Sequence, residues 1–265
     1  MTLIKKQLSY FFNSAEAAGA VKIGSLGNRF RISLNSPIHI PASAKYATLH
    51  VPTAAVWNNS PNISATIGNN KLYFSYEGTP HIISIADGLY GVSDIDSICS
   101  IFFTNNTLPS DLFEISSNDS TQKITITFNY PDIIFDFTQP DVCRDVLGFD
   151  SQAFGPFTSP SVQTAPNIAA FNRVVNFFIR STLLSGGIPQ NLTSNGIIAD
   201  VPITAPVGSL VNYEPVHPIK SDATELIGNP KQTFTFALMD QLEREISTMG
   251  EEYSLSVVIE YWVDV

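Results

Sequence analysis

Apolar and polar residues alternate along much of this chain with the period of a strand rather than that of a helix. Phe30, Ile32 and Leu34 alternate with Arg29, Arg31 and Ser33, the pattern of a half-buried strand. A second run, 45–58, places Ala47, Leu49 and Val51 on one face. Between the two, Pro37 and Pro41 remove backbone donors, which puts that stretch at an edge or a bend. Further strand patterns occupy 173–184, 196–204, 208–219, 232–240 and 253–263. Turn signals separate them at Gly186-Gly187, Asn195-Gly196, Pro206 to Gly208 and Gly228-Asn229-Pro230. In the last two strands Phe234, Phe236 and Leu238 alternate inward, while Leu255, Val257 and Ile259 oppose Ser254, Ser256 and Val258. For the final strand the pattern leaves open which face meets the core.

Residues 66–150 follow another rule. "KLYFSYEG" and "HIISIADG" alternate and join around Gly78 as a hairpin. In "GVSDIDSICSIFF" the period changes, and Ile95, Ile98, Cys99 and Phe102 fall on one helical face. Ser93 is the expected N-cap, with Asp94 and Asp96 complementing the positive helix end. Ile124 to Phe128 make a strand, "DIIFDF" adds a short one, and "VCRDVLGFD" reads as a helical turn ending at Gly148. The segment is expected to be a compact ββαββ unit lodged between strand-rich flanks.

The flanks hold about eight strands, two before the insert and six after it, which fits an all-β fold: a single eight-stranded jelly-roll sandwich with an inserted small α+β domain. The expected boundaries are an N-terminal arm at 1–27, the first jelly-roll strands at 28–65, the inserted ββαββ domain at 66–153 and the remaining strands at 154–265. The arm carries Leu3, Ile4, Leu8, Tyr10, Phe11 and Phe12, and free arms avoid such residues because exposed apolar patches are sticky. Two readings follow: the arm docks on a neighbouring subunit, or it packs along its own sandwich.

Composition adjusts this picture. Charged residues are only 14 % of the 265, against 44 % hydrophobic and 18 phenylalanines, so much of the surface is neutral and fit to be covered by partners. The formal charge of −10 disfavours nucleic-acid binding, which rests on lysine and arginine, and disfavours adsorption to anionic membranes. The start "MTLIKKQLSYFFNSAEAAGA" mimics a signal peptide, but Gln7 and Ser9 break its apolar patch, so no leader is expected. No apolar run is long enough to span a membrane. The two cysteines, Cys99 and Cys143, lack metal-ligand spacing and read as buried small hydrophobes. Sequons at Asn62, Asn105, Asn118 and Asn191 carry little meaning without secretion.

Catalytic motifs are sparse. There is no nucleophile elbow, dinucleotide fingerprint or phosphate loop. His39, His50, His81 and His217 have no metal-site spacing, and nothing calls for a cofactor. Asp200 and Glu214, on separate strands, could meet across a glycosidase cleft, giving a hydrolase reading, although among 24 acidic residues some pair always looks suggestive. Trp57, Trp262, Tyr253 and Tyr261 are candidates for a sugar-binding platform, giving a carbohydrate- or receptor-binding reading, with core or interface anchors as the alternative. Glu251 and Glu252 invite an acid/base reading, but neighbours in a strand point to opposite faces. With Glu243, Arg244 and Glu245, they read better as the solvated rim of the loop joining the last two strands.

Four phrases, taken in order, carry a resemblance: "FRISLNSPIHIPASAKYATLHVPTAAVWNNSPNI"; "KLYFSY…HIISIADGLYGVSDIDSICSIFF" ending at "DVLGF"; "IIADVPITAPVGSLVNYEP"; and "LMDQLEREISTMGEEYSLSVVIEYW". Together they resemble the penton (minor capsid) proteins of virophages and polinton-like viruses over nearly everything after residue 28. The resemblance implies an upright single jelly roll, five copies at an icosahedral five-fold vertex, and contact with a double-jelly-roll major capsid protein. It places the insert between the second and third jelly-roll strands as an outward knob, where a host-surface receptor could be met. It carries no catalytic residue. The expected partners are therefore the chain itself and the major capsid protein, and the expected location is the virion. The expected interface residues are Leu3, Ile4, Leu8, Tyr10, Phe11, Phe12, Trp57 and Trp262.

Overall fold

The computed structural model describes residues 2–158, 160–171, 174–190, 193–194 and 196–264. The chain opens with β1 (Leu3–Asn13), β2 (Val21–Lys22), β3 (Arg29–Ile38) and β4 (Ala44–Trp57). Next come β5 (Lys71–Tyr76), β6 (Thr79–Ser84), α1 (Val92–Asn105), β7 (Phe113–Asn118), β8 (Lys123–Phe128) and β9 (Ile133–Asp136). The short α2 (Arg144–Leu147), β10 (Ala153–Phe154) and β11 (Ser161–Thr164) follow. The last stretch holds β12 (Asn176–Ser181), β13 (Pro189–Gln190), β14 (Thr193–Ser194), β15 (Ile197–Pro202), β16 (Leu210–Tyr213), β17 (Ser221–Asp222), β18 (Lys231–Met239) and β19 (Ser254–Asp264). Two compact units result, residues 1–60 with 174–265, and residues 61–173.

The first unit is a sandwich of two antiparallel sheets. Sheet A runs β1-β19-β4-β16, with β17 also on β4; sheet B runs β15-β12-β18-β3-β2. Its pairings have one logic. The first strand pairs with the last, β1 with β19. The next pairs with the next to last, β3 with β18. Then β4 pairs with β16 and β17, one interrupted edge strand, and β12 with β15. This is a long hairpin rolled on itself, the jelly roll expected from the alternation. Inward faces supply the core: Phe30, Leu49, Val51, Phe177, Phe234 and Phe236 are among its fully covered residues. Leu255, Val257 and Ile259 take the inward face of β19, which settles the choice the pattern left open.

Two expectations change here. Residues 3–13, expected as part of an arm, take the second of its two readings and pack along their own sandwich: they form β1, which pairs with β19 along its whole length, from Leu3 opposite Asp264 to Asn13 opposite Ser254. The alternation was blurred because an edge strand leaves even inward-phase positions such as Ile4 and Lys6 exposed. With β1 counted, the long strands β1, β3 and β4, together with the two-residue β2, precede the second unit, so the insert follows more than the two jelly-roll strands expected before it.

The second unit runs 61–173, wider than the expected 66–153. It holds a four-stranded sheet, β10-β9-β5-β6, and a three-stranded sheet, β11-β8-β7. The β5–β6 hairpin turns at Glu77 and Gly78, both at positive φ, as a two-residue hairpin demands. Helix α1 buries Ile95, Cys99 and Phe103, so the covered stripe is turned from the predicted one, with Ile98 and Phe102 at its margin. Its N-cap is Gly91 rather than Ser93, and Asp94 accepts the Gly91 N–H at 2.7 Å. Asp96 instead accepts the Ile115 N–H at 2.7 Å, tying the helix to β7. Gly148 ends α2 at φ +79, where a Cβ would meet the Asn167 carbonyl at 2.5 Å. Only glycine fits there.

Cys99 and Cys143 are buried and free in this core. Burial pushes both thiols up, Cys143 to about 12, so neither is an accessible nucleophile at neutral pH. Asn62 is buried and donates to the carbonyls of Tyr90 and Phe171, so that sequon is not an accessible acceptor. Asn191 lies outside the described residues.

Candidate functional site

The outward face of sheet A concentrates the polar chemistry of the sandwich. Strand register fixes its rows. Lys5 lies opposite Trp262, which lies opposite Tyr46. The two rings meet at 5.0 Å between centroids, with the Lys5 ammonium 6.0 Å from the Trp262 ring. In the next outward row Gln7 faces Glu260, Glu260 faces Thr48, and Thr48 faces Asp222.

Glu260 is the centre of this face. Its side chain is only 6 % exposed, and two half-exposed lysines grip it: Lys220 Nζ lies 2.5 Å from Oε2, and Lys5 bonds Oε1. Burial works against its charge, but the hydrogen bonds from Lys220 and Lys5 outweigh that, and its pKa lies below the ordinary carboxylate value. His50 follows Thr48 on the same face and is held below the ordinary histidine value. Burial is the main cause; Glu260 opposes it and Lys220 and Lys5 reinforce it. Neutral His50 is therefore the form the fold selects. The His50 Nδ1, Thr48 Oγ1 and Ser221 Oγ atoms are buried without a hydrogen-bond partner. Orphaned polar atoms are costly, so this is the least satisfied part of the described structure.

Beside this cluster a shallow cavity of about 300 Å³ crosses all four strands of the face, lined by Phe11, Thr53, Ala55, Tyr213, Glu214 and Ser254 among others. Small side chains make its floor, and Phe11, 67 % exposed, stands at one side. An exposed aromatic beside a shallow floor of small residues suits protein contact better than small-molecule capture, which favours deep, enclosed sites.

The fold resembles solved virophage structures along nearly its whole length. The mavirus penton protein matches with a TM-score of 0.49 at 12 % identity, covering 97 % of this chain and 100 % of that one. A chain in the structure of the Sputnik virophage matches with a TM-score of 0.43 at 14 % identity, covering 96 % and 97 %. No protein-family model matches the sequence, and no curated protein matches it.

The residues singled out in the sequence separate cleanly. Leu3, Ile4 and Phe11 are exposed along β1, and Trp57 is exposed where β4 ends, opposite the equally exposed Leu210. Trp262 is half-buried against Tyr46. Phe12 is not a surface residue: it is 4 % exposed and packs on Phe234 and Phe236 at 5.4 and 5.0 Å. Leu8 and Tyr10 pack on the same core. These three belong to the sandwich itself, because they share the inward phase of β1.

Asp200 sits on sheet B, where Asn176 donates to it at 2.7 Å, whereas Glu214 follows β16 on sheet A and lines the shallow cavity. Burial first and then the Asp200 charge push the Tyr213 hydroxyl up, so Asp200 lies within electrostatic reach of the residue before Glu214. Tyr253 is buried, with its hydroxyl donating to the Asn28 carbonyl at 2.9 Å, and Tyr261 is buried as well, so neither joins a platform. Trp57 and Trp262 mark opposite ends of β4, roughly 35 Å apart at strand rise. Among the described residues no group of histidine, cysteine and carboxylate side chains could hold a metal. No described helix is long and apolar enough to cross a membrane.

The loop at 240–253 has the exposed rim expected of it: Arg244, Glu245, Glu251 and Glu252 are all exposed. It is also tied down: Arg244 Nε donates to Asp240 at 2.7 Å, and Glu245 pairs with Arg29 at 2.7 Å. Asp240, 2 % exposed, also accepts the N–H groups of Leu242 and Arg244 and so organises the turn. Sequence reasoning missed Asp240, Glu260 and His50. One signal was available: Glu260 interrupts the apolar run "SVVIEYW", where a lone carboxylate demands a partnered charge.

Proposed function

We propose that this chain is a structural capsid subunit, the penton of an icosahedral virion. Five copies associate at each five-fold vertex and meet a double-jelly-roll major capsid protein around them. The observation that carries this reading is a jelly roll whose sheet A ends on two unpaired edges bearing exposed apolar side chains. Unpaired edges are templates for association, and contiguous exposed apolar surface marks a contact site. Leu3, Ile4, Phe11, Trp57 and Trp262 are assigned to intersubunit contacts, whereas Leu8, Tyr10 and Phe12 hold their own sandwich. The low share of charged residues, 14 %, supports contacts of neutral character despite a formal charge of −10 per copy. The number five and the vertex position are what the resemblance to virophage penton proteins, carried by the four sequence phrases, implies. Native mass spectrometry of the purified chain and imaging of particles test the reading. Pentamers and density at the vertices are expected; a stable trimer, or a protein missing from vertices, overturns it.

A second reading rests on one observation in residues 61–173. A cavity of about 380 Å³ is lined by the polar Ser117, Asn118, Asp119 and Gln122 and by Phe171 with Val92, Ile124, Ala169 and Ala170, the mix of hydrogen-bonding and apolar surface that a sugar-bearing receptor would meet. Glycan-array binding lost in Gln122→Ala would support receptor attachment through this unit; no binding to any glycan would remove it.

A further inference from the structure

The two free edges of sheet A can be compared height by height. Phe11 lies opposite Ser256 on β19, and Ser256 lies opposite Thr53 on β4. On the far edge, β16 ends at Tyr213, opposite Ala54, and β17 resumes at Ser221, opposite Leu49. The segment 214–220 therefore spans the heights of β4 residues 50–53, which include the Phe11 row. That segment carries Val216, 89 % exposed, and Ile219, 52 % exposed. Lower down, Lys6 lies opposite Tyr261, and Tyr261 lies opposite Ala47. Ala47 adjoins Thr48, whose partner on the far edge is Asp222. Each edge thus presents an exposed apolar side chain and, a few rows below it, an exposed charge, and the charges are opposite in sign.

Symmetry makes equal heights matter. A ring whose axis runs parallel to the strands preserves height along them, so each row on one edge meets the row of equal height on the next copy's other edge. We propose that the β1 edge of one copy docks on the 214–222 edge of a second copy, with Phe11 against Val216 and the long Lys6 side chain reaching round the edge from the inward phase of β1 to Asp222, one row away. This rests on the ring-forming capsid reading and names the surface that closes the ring. The occupant is a second copy of this chain because its far edge supplies both complements. Among the described residues Lys6 forms no ion pair, whereas Lys5 and Lys220 are already bonded to Glu260. The first acidic residue in the chain is Glu16, so residues 1–15 bear only positive side-chain charge. Two β1 edges related by a two-fold axis parallel to the strands would bring Lys6 against Lys6, which disfavours that symmetric dimer and favours the head-to-tail contact.

Cysteine crosslinking tests the contact directly. A chain carrying Phe11→Cys and Val216→Cys should give an intermolecular disulfide ladder on oxidation that ends at the pentamer. Either substitution alone should give no ladder, and the buried Cys99 and Cys143 do not compete. In parallel, Lys6→Glu and Asp222→Lys should each weaken association about threefold per contact, and the double variant should restore it. All four positions are exposed, but Asp222 also accepts the Thr224 N–H at 2.9 Å, so thermal melting is followed for each variant, and Asp222→Asn, which keeps that acceptor and removes the charge, should weaken association with melting unchanged. Pentamers that form normally in both charge variants and yield no Phe11–Val216 crosslink overturn this contact while leaving the capsid reading standing. A wild-type chain that stays monomeric at every concentration overturns both. A disulfide trapped at the dimer by Phe11→Cys alone overturns the head-to-tail arrangement.

Discussion

Phe113, in residues 61–173, packs against Phe74, Phe103, Phe128 and Phe135 at centroid distances of 4.8–6.1 Å, and all four lie in the same segment of chain. Phe236, in the sandwich, packs against Phe12 and Phe30 from the opposite end of the sequence at 5.0 and 5.2 Å. Both sites are dense aromatic clusters, yet one closes within a local stretch and the other closes only when the two chain ends meet. The first arrangement is complete within residues 61–173. The second pairs β1 with β19 and leaves β1 as an edge, so the unit that needs both termini also offers the surface for assembly.

Removing residues 2–13 tests that contrast most severely. The sandwich loses Leu8, Tyr10 and Phe12 from its core and exposes the edge of β19. The loss should exceed the roughly 5–15 kcal/mol by which domains of this size are stable. Hydrogen exchange should show protection abolished on 174–264 and retained on β5, β7 and β8; equal loss in both units would break the comparison. Next in size, Phe113→Ala and Phe236→Ala should each cost about 3–5 kcal/mol. Denaturant titration measures the total, and exchange should lose protection first in the unit that carries the change.

The polar face of sheet A gives a smaller effect with a definite sign. Glu260→Gln should cost about 1–2 kcal/mol, less than a fully buried pair because both lysines are half-exposed. The fold lowers the Glu260 pKa, so its contribution is complete above the ordinary value of 4.5 and is lost as pH falls through the lower folded value. Burial first, with help from Lys220 and Lys5 and against Glu260, also lowers the His50 pKa. Its contribution is complete above 6.5 and is lost as pH falls from there towards the folded value. Stability measured by urea titration should therefore decline in two stages on acidification. His50→Asn should flatten the upper stage and Glu260→Gln the lower one. The smallest effect belongs to Phe11→Ser, expected to change monomer stability by no more than about 0.5 kcal/mol. A large loss there would mean that Phe11 serves the core after all.

The fold was readable wherever one face of a strand meets a core and the other meets solvent. Phe30, Ile32, Phe234 and Phe236 announce their strands because burial on one side imposes alternation. At β1 the same signal was blurred, since an edge strand exposes residues of both phases, and Lys5, Lys6 and Gln7 hide the inward Leu8, Tyr10 and Phe12. For the interface, apolar residues could be noticed in the first twelve positions, but not which of them turn outward. Glu260, Lys5, Lys220 and His50 come from separate strands, and no spacing in sequence records their meeting.

By itself the sequence determined an all-β sandwich with an inserted α+β unit, a neutral surface and a net negative charge, because these follow from local alternation and composition. Tertiary structure decided that the first strand pairs with the last, that Phe12 is core while Phe11 is surface, and that Lys6 and Asp222 stand on opposite edges at neighbouring heights. The physical reason is register. Strand pairing joins residues far apart in the chain, and a shift of one residue would exchange every inward side chain for an outward one.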